Sequence, residues 1–249
     1  MGAFLCYGLF EMRLSVVIPA FNEEKYLPAT LASINEALRS VTDSEVIVVD
    51  NQSTDATPRL AADAGARVIC EAERNIGKVR NSGAAGANGE LVVFIDADTL
   101  VKPGVFEKII HAAADTRCLG GSVAVEYEAE FRRLWVRWFM KLWPMLGKLT
   151  RMRGGALQFC RADVFREMAG YDTTIFVGED IEFHWRLDKL ANKRGSYTVF
   201  IEDPKVRTSS RRWDQMGLVR MLFFTHPATI FLAWRHRSFW KDWYERAIR

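Results

Sequence analysis

Nearly continuous apolar runs alternate with helical repeats along the first hundred residues of the chain. The runs lie at 14–18, 46–50, 67–70 and 91–95. Their lack of regular polar alternation is typical of strands that are buried on both faces of a sheet. Between the runs, apolar residues recur at helical spacing, as in Leu27, Leu31 and Ile34. The alternation predicts an α/β fold with a mostly parallel sheet and helices on both faces.

The predicted helices carry start signals of their own. Asn22 is a candidate N-cap of the first helix, and Glu23 and Glu24 would be favourable in its first turn. The second helix is expected to start at 53–55, with Pro58 in an early turn where proline is tolerated. Further helices are predicted at 75–87 and 105–114.

Beyond residue 98 the regular alternation ends. A strand at 119–127 is expected to leave the parallel pattern. A later helix is predicted to begin at Glu179 and to bury a face formed by Ile181, Trp185 and Leu190. Shorter elements are predicted at 156–160 (strand), 161–169 (helix), 197–201 (strand) and 205–208 (strand).

The sequence divides into one domain and two flanking segments. No linker rich in proline, glycine or serine interrupts residues 13–215, so these residues are predicted to form a single domain. Residues 216–249 would then be a helical tail, and residues 1–12 an upstream extension. The extension lacks the basic start and the cleavage site of a signal peptide.

Two segments are both aromatic and basic, namely 131–153 and the tail. The longest apolar stretch of the tail, 221–234, is shorter than the ~20 residues that a membrane span needs. Amphipathic segments of this composition can lie on an anionic membrane surface, which would make the protein a peripheral membrane protein. The alternative is that their aromatic residues pack against the domain.

Composition narrows the class of protein. The chain of 249 residues is 49% hydrophobic and 26% charged, which is ordinary for a globular protein. A net charge of only +3 gives no reason to expect a nucleic-acid partner. The four cysteines include no close-spaced pair, which argues against a zinc site or a disulfide framework. A cytoplasmic location fits, either free or at the inner face of the membrane.

Two aspartates follow the fourth apolar run directly. Asp96 and Asp98 are two residues apart, so in extended backbone their side chains leave on the same side. Crowded carboxylates repel each other unless a cation joins them, and their oxygens suit Mg²⁺ or Mn²⁺ better than zinc. The alternative is a solvated turn that caps the helix near Pro103.

Three strand ends supply polar groups to one edge of the predicted sheet. These are residues 21–23, 50–55 and 96–98. Ligands of open α/β sheets bind beyond the carboxyl ends of the strands, so this edge is the predicted site. Glycines at 83, 86 and 89 do not form a dinucleotide fingerprint, and the chain has no P-loop motif. These glycines instead indicate close helix packing.

Five motifs in order resemble glycosyltransferase family 2, the inverting enzymes of GT-A fold. They are residues 17–24 (VIPAFNEE), 48–55 (VVDNQSTD), 77–81 (GKVRN), 94–98 (FIDAD) and 178–180 (GED). The resemblance covers about residues 13–215 and implies a Rossmann-like GT-A domain. It implies a nucleotide-diphosphate sugar as donor, a divalent metal (Mg²⁺ or Mn²⁺) as cofactor, and a sugar or lipid-linked acceptor hydroxyl.

The resemblance also assigns residues. Asp98 resembles the metal ligand, and Asp180 the catalytic base, with Glu179 beside it. A helix start would lower the pKa of both carboxyls. The remaining matches are assigned to the nucleotide-sugar site: Pro19, Ala20, Phe21, Asn22, Glu23, Asp50, Ser53, Lys78, Arg80, Asp96, Ala97, Arg212 and Trp213. Ser209 stands where processive members carry glutamine, which favours non-processive transfer.

Each assignment has a structural alternative. Asp50 could cap the next helix, and Lys78 and Arg80 could form a solvated helix face. Arg212 and Trp213 could pair on the surface. His184, one turn after Asp180, is expected to pack rather than to bind metal. Alternative functions are a sugar nucleotidyltransferase and a non-catalytic protein that binds nucleotide sugars.

Overall fold

The computed structural model describes residues 12–127, 155–211 and 234–236, and most of these form one eight-stranded sheet with its flanking helices. The strands are β1 (Leu14–Ala20), β2 (Ser44–Asp50), β3 (Arg67–Cys70), β4 (Leu91–Ile95), β5 (Thr99–Leu100), β6 (Cys118–Tyr127), β7 (Leu157–Arg161) and β8 (Tyr197–Thr208). The helices are α1 (Leu27–Ala37), α2 (Thr57–Asp63), α3 (Ile76–Ala85), α4 (Val105–Ala113), α5 (Ala162–Glu167) and α6 (Glu179–Lys193). The predicted α/β class is confirmed.

The sheet has the order β3-β2-β1-β4-β7-β6-β8-β5. β1 pairs in parallel with β2 and β4, and β2 with β3. β7 lies antiparallel to both of its neighbours, β4 and β6. Because both β4 and β6 are antiparallel to β7, β6 runs in the same direction as β4. The prediction that 119–127 leaves the parallel pattern is confirmed in part, because β6 pairs antiparallel with β7 and parallel with β8.

Several predicted boundaries move. Asn22 does not cap α1, which starts five residues later at Leu27 without a side-chain cap. Asn22 instead takes a left-handed φ of 54° and accepts the Thr54 N–H at 2.8 Å. α2 starts at Thr57 rather than at 53–55. The two predicted short strands at 197–208 are one strand, β8, whose register shifts against β6 between Ile201 and Val206.

The core has two layers, one on each face of the sheet. Alternate residues of β1 divide between them: Val16 and Ile18 pack with α1 and α4, whereas Val17 packs with α3 and α6. α3 lies close to the sheet because Gly83 has no side chain. A Cβ at Gly83 would come within 2.3 Å of Val17 Cγ1, so the prediction of close helix packing is confirmed.

The buried face of α6 differs from the predicted one. Phe183, Leu187 and Ala191, at spacings of four residues, are each about 1% exposed. Ile181 and Trp185 are only half-buried. The prediction was wrong because the first two turns of α6 place polar groups inward: Glu179 is 8% exposed and His184 is 1% exposed. A hydrophobic pattern alone therefore assigned the wrong face.

Several predictions concern residues outside the described ranges. These are residues 1–11 of the extension, the aromatic segment at 131–153, Arg212, Trp213 and nearly all of the tail. Among the residues that the structure describes, no helix has the length and apolar character required to cross a bilayer.

Candidate functional site

The loops after β1 and β2 are joined into one rim of the predicted nucleotide site. Ala20, the last residue of β1, pairs with Asp50, the last residue of β2, so the two loops start side by side. The N–H of Asn22 donates to Ser53 Oγ at 2.9 Å. Both carboxylate oxygens of Asp50 lie 3.3 Å from the Ser53 N–H. The structure thus brings Pro19 to Glu23 together with Asp50 and Ser53.

Phe21 and Arg74 meet at the outer side of this rim. The Arg74 guanidinium lies 3.8 Å from the centre of the Phe21 ring, a cation–π contact. Lys78, in the first turn of α3, is half-buried, and its backbone N–H donates to the Asn75 side chain at 2.9 Å. The Ser82 hydroxyl and, to a lesser extent, the Lys78 charge lower the pKa of Glu71.

The acidic turn between β4 and β5 separates its two aspartates rather than pairing them. Asp96 accepts from Arg80 Nη2 at 2.9 Å. Asp98 accepts from Arg211 Nη2 at 3.1 Å. Between them, the carbonyl of Ala97 accepts the Thr30 hydroxyl at 2.8 Å, which attaches the turn to α1. The two carboxylates therefore belong to two different ion-pair clusters.

The first cluster connects the acidic turn with the start of α6. Arg80 extends from α3 and donates through Nη1 to Glu179 at 2.5 Å and through Nη2 to Asp96 at 2.9 Å. Its side chain is only 7% exposed. Burial would lower the pKa of Arg80, but the Glu179 and Asp96 carboxylates raise it above its ordinary value. The alternative of a solvated helix face is therefore wrong for Arg80.

The second cluster contains a residue that the sequence analysis missed. Arg211 Nη2 lies 2.8 Å from Glu23 Oε1 and 3.1 Å from Asp98 Oδ2, and the guanidinium covers the Tyr26 ring at 4.3 Å. Glu23 is 6% exposed, and its other oxygen, Oε2, is buried and has no hydrogen-bond partner among the residues that the structure describes. The sequence pointed to Arg212 and Trp213, which lie outside the described residues.

Asp180 follows Glu179 in the first turn of α6. Its backbone carbonyl is held by Gln158, which is itself held by Tyr171. Gln158 of β7 donates its amide to the Asp180 carbonyl at 2.9 Å. The Tyr171 hydroxyl in turn donates to Gln158 Oε1 at 3.0 Å. Neither Gln158 nor Tyr171 was predicted. The one signal in the sequence was Gln158 itself, a polar residue within an apolar strand.

The pKa of Asp180 moves in the direction opposite to the prediction. Loss of water around the carboxyl is the largest cause, and the neighbouring Glu179 charge adds to it, raising the pKa to about 7. Arg80 opposes this rise but does not cancel it. The expected lowering by the helix start was wrong because desolvation and a like charge outweigh the helix dipole.

The loop that precedes α6 is attached to α3 by two asparagines. Asn75 donates to the carbonyls of Thr173 and Ile175, at 2.8 and 3.2 Å. Asn81 exchanges two hydrogen bonds of 2.9 Å with the backbone of Tyr171. His184, further along α6, is buried, and its Nε2 lies 3.7 Å from an Asp188 carboxylate oxygen.

A divalent metal is implied by the resemblance, and the oxygen groups of the second cluster suit one. Glu23 and Asp98 converge from two loops on a single positive group, the Arg211 guanidinium. In the described part of the chain, no three His, Cys, Asp or Glu side chains gather as a metal site. Mg²⁺ often binds one or two carboxylates together with substrate phosphates, so Asp98 with a diphosphate would fit.

Comparison with known proteins decides the family. A model of "Glycosyl transferase family 2" matches residues 15–169, which is more than half of the chain. The chain belongs to glycosyltransferase family 2. The match includes Asp50, Asp96 and Asp98, whereas Asp180 and Arg211 lie beyond it.

Individual family members support the fold. The Mycobacterium tuberculosis protein "Uncharacterized glycosyltransferase Rv0539" is 38% identical over 97 residues, covering 39% of this chain and 42% of its own length. Staphylococcus aureus TarS 1-349 superposes with a TM-score of 0.58 at 18% identity, covering 81% of this chain and 61% of its own. The chain spans less than half the length of the curated relatives it matches.

A second similar structure contains ligands. The mannosyltransferase PcManGT from Pyrobaculum calidifontis, in complex with GDP-Man and Mn²⁺, superposes with a TM-score of 0.62. It is 21% identical, and the match covers 79% of this chain and 56% of that one. At this identity the likeness establishes the shared glycosyltransferase fold, and the ligands belong to PcManGT.

Proposed function

We propose that this chain transfers a sugar from a nucleotide-diphosphate donor to an acceptor hydroxyl, with inversion at the anomeric carbon and with a divalent metal. The observation that carries the proposal is the bridge made by Arg80. It connects Asp96 of the acidic turn to Glu179, the residue beside Asp180. Residues assigned to the donor and to the base, 84 positions apart (Asp180 minus Asp96), thereby belong to one cluster of charges around the buried Arg80.

In the proposed mechanism Asp180 accepts the proton of the acceptor hydroxyl. Transfer needs only one such base, because the attacking oxygen displaces the diphosphate from the opposite face of the sugar. Gln158 and Tyr171 fix the backbone from which the Asp180 carboxylate projects. Glu179 is held by Arg80 and raises the pKa of Asp180, so it acts beside the base rather than as a second one.

The departing diphosphate accumulates negative charge, which the opposite rim of the site would stabilise. Arg211 holds Asp98 in place through an ion pair of 3.1 Å. A metal bound to Asp98 would act there as a Lewis acid towards the phosphate oxygens. The loops at Phe21 to Glu23 and Asp50 to Ser53 would hold the nucleoside, with Arg212 and Trp213 near the donor as the resemblance implies.

Two other functions are distinguished by the same assay. A sugar nucleotidyltransferase would need a glycine-rich basic loop after β1, where this chain has Ala20 to Glu24 bound to the next loop. A binding protein would take up the donor without releasing a nucleotide. We therefore expect a panel of UDP- and GDP-sugars with Mn²⁺ to yield free nucleoside diphosphate in the presence of acceptor. Formation of a nucleoside triphosphate and a sugar 1-phosphate when pyrophosphate is added, or binding of the donor without release of a nucleotide, would contradict the proposal.

The pH dependence follows from the raised pKa of Asp180. A base must be ionised, so kcat/KM is expected to rise about tenfold per pH unit up to about pH 7 and then to level off. Glu179→Gln removes a nearby negative charge and should move the inflection to lower pH. Measuring kcat/KM from pH 5 to 9 for both proteins tests this. A wild-type kcat/KM that stays flat from pH 5 to 9 would contradict the assignment of Asp180.

The acceptor is proposed to be a sugar or lipid-linked hydroxyl, reached from the membrane surface. The support is the aromatic and basic composition of 131–153 and 216–249. We expect the full chain to co-float with liposomes that contain anionic lipid at low salt, and to be released at high salt. Liposomes of neutral lipid alone are the control. Equal recovery with both lipid compositions, or no flotation at all, would contradict surface attachment.

A further inference from the structure

The guanidinium of Arg80 is occupied on both of its terminal nitrogens by carboxylates of the protein itself. One nitrogen contacts Glu179 and the other contacts Asp96. The two carboxylates lie on elements that are 83 residues apart in sequence (Glu179 minus Asp96). A planar guanidinium fixes the angle between two such partners, which a lysine ammonium does not. Arg80 therefore sets the distance between the acidic turn and the start of α6.

The helix that carries Arg80 is itself fixed to the segment before α6. Asn75 and Asn81, which flank Arg80 on α3, hold the backbone of residues 171–175 through side-chain hydrogen bonds. Gly170 must lack a side chain at this contact, because a Cβ would lie 2.4 Å from Asn81 Oδ1. α3 and its N-cap thus hold residues 170–175 of the loop that delivers Asp180.

The burial of Arg80 argues against a role in binding phosphate. Its side chain is 7% exposed, whereas the Asp96 side chain, 2.9 Å away, is 40% exposed. Two carboxylates already balance its single charge. A diphosphate that bound Arg80 would have to displace Asp96 or Glu179, and displacing Glu179 would leave a buried carboxylate without its partner.

We propose that Arg80 is a positioning residue, which holds the donor turn and the catalytic helix in register and does not bind the nucleotide. The proposal rests on the function proposed above and deepens it. It reassigns a residue that the family resemblance placed among the nucleotide ligands. Through Glu179, Arg80 orients the first turn of α6 from which Asp180 projects. Loss of Arg80 should therefore impair the chemical step rather than the binding of the donor.

The test compares Arg80→Met and Arg80→Lys with the control Arg186→Met. Arg186 is a half-buried arginine of α6: it donates to Glu182 at 2.6 Å and to the carbonyls of Met168 and Gly170. It does not contact the acidic turn. Arg186→Met thus removes an arginine that stabilises α6 but takes no part in the bridge between Asp96 and Glu179. Arg80→Lys keeps the charge, so it remains informative if Arg80→Met folds poorly.

We expect Arg80→Met to lower kcat about 100-fold, as small misplacements of a catalytic group do. The Kd of UDP and of GDP with Mn²⁺ should change less than about threefold. Arg80→Lys should fall between Arg80→Met and the wild type, and Arg186→Met should keep kcat within about twofold. A rise of more than about tenfold in the diphosphate Kd of Arg80→Met, with kcat preserved, would overturn the proposal.

Amide hydrogen exchange supplies a readout that does not depend on turnover. The Thr99 N–H donates to Asp96 within the acidic turn, and the Glu182 N–H closes the first turn of α6. Arg80→Met should speed exchange at both amides by about tenfold, whereas Arg186→Met should leave Thr99 unchanged. Unchanged exchange at both amides in Arg80→Met overturns the proposal. If the wild type turns over no donor, the proposed function fails while exchange still decides the role of Arg80.

Discussion

Replacing Asp180 with asparagine is expected to lower kcat by about 1000-fold, the largest single effect on this chain. Asparagine has nearly the same shape, and the backbone bond from Gln158 to the carbonyl of residue 180 would remain. What is lost is the ability to accept a proton near neutral pH. The measurement is steady-state transfer from the donor that the panel identifies, together with binding of the matching nucleoside diphosphate, which should be unchanged.

Asp188→Asn is the matched control for that substitution. Asp188 lies two turns further along α6 and accepts the Thr198 hydroxyl, a bond that an asparagine oxygen can also accept. We expect kcat of this variant to stay within about twofold of the wild type. If Asp180→Asn retained more than about a tenth of wild-type kcat, Asp180 would not be the base, and Glu179 would be the next residue to examine.

Asp98→Asn should produce the second-largest effect, through loss of the metal rather than loss of the base. A neutral amide oxygen is a weaker ligand for Mg²⁺ or Mn²⁺ than a carboxylate. We expect kcat/KM to fall about 200-fold, equivalent to about 3 kcal/mol of transition-state stabilisation. Mn²⁺ binding in the presence of nucleoside diphosphate, followed by electron paramagnetic resonance, should weaken in parallel.

The control for Asp98 is an exposed aspartate away from the rim. Asp115 pairs with Arg117 at 2.8 Å on the surface, and Asp115→Asn should leave both Mn²⁺ affinity and turnover unchanged. Excess Mn²⁺ should partly restore Asp98→Asn but not Asp180→Asn, because only the first variant is limited by metal occupancy. Unchanged Mn²⁺ affinity in Asp98→Asn would show that the metal, if bound, is held elsewhere.

Much of the site could be predicted because the carboxyl ends of parallel strands lie on the same edge of the sheet. The apolar runs before Asp50 and Asp96 marked β2 and β4, and parallel pairing brings their carboxyl ends to the same rim. The family motifs then ordered these residues along the chain. The position of Asp180 at the start of α6 was also predicted, since a glycine and two acidic residues precede a helical repeat.

The partners of these residues could not be predicted. Arg211 and Arg212 are adjacent and chemically identical, and only the geometry at the end of β8 turns Arg211 towards Glu23 and Asp98. The pKa of Asp180 was predicted in the wrong direction for a related reason. The helix start is visible in the sequence, whereas the burial and the neighbouring charge depend on which elements pack around it.

By itself, the sequence determined which elements form and which of their ends carry carboxylates, because backbone periodicity and turn residues are local properties. Only the tertiary structure decided how those charges are paired. Arg80 joins Asp96 to Glu179, and Arg211 joins Glu23 to Asp98, across gaps of 16 to 188 residues. Ion pairs act over a few ångströms in space, whatever the separation along the chain, so their partners emerge only when the sheet has assembled.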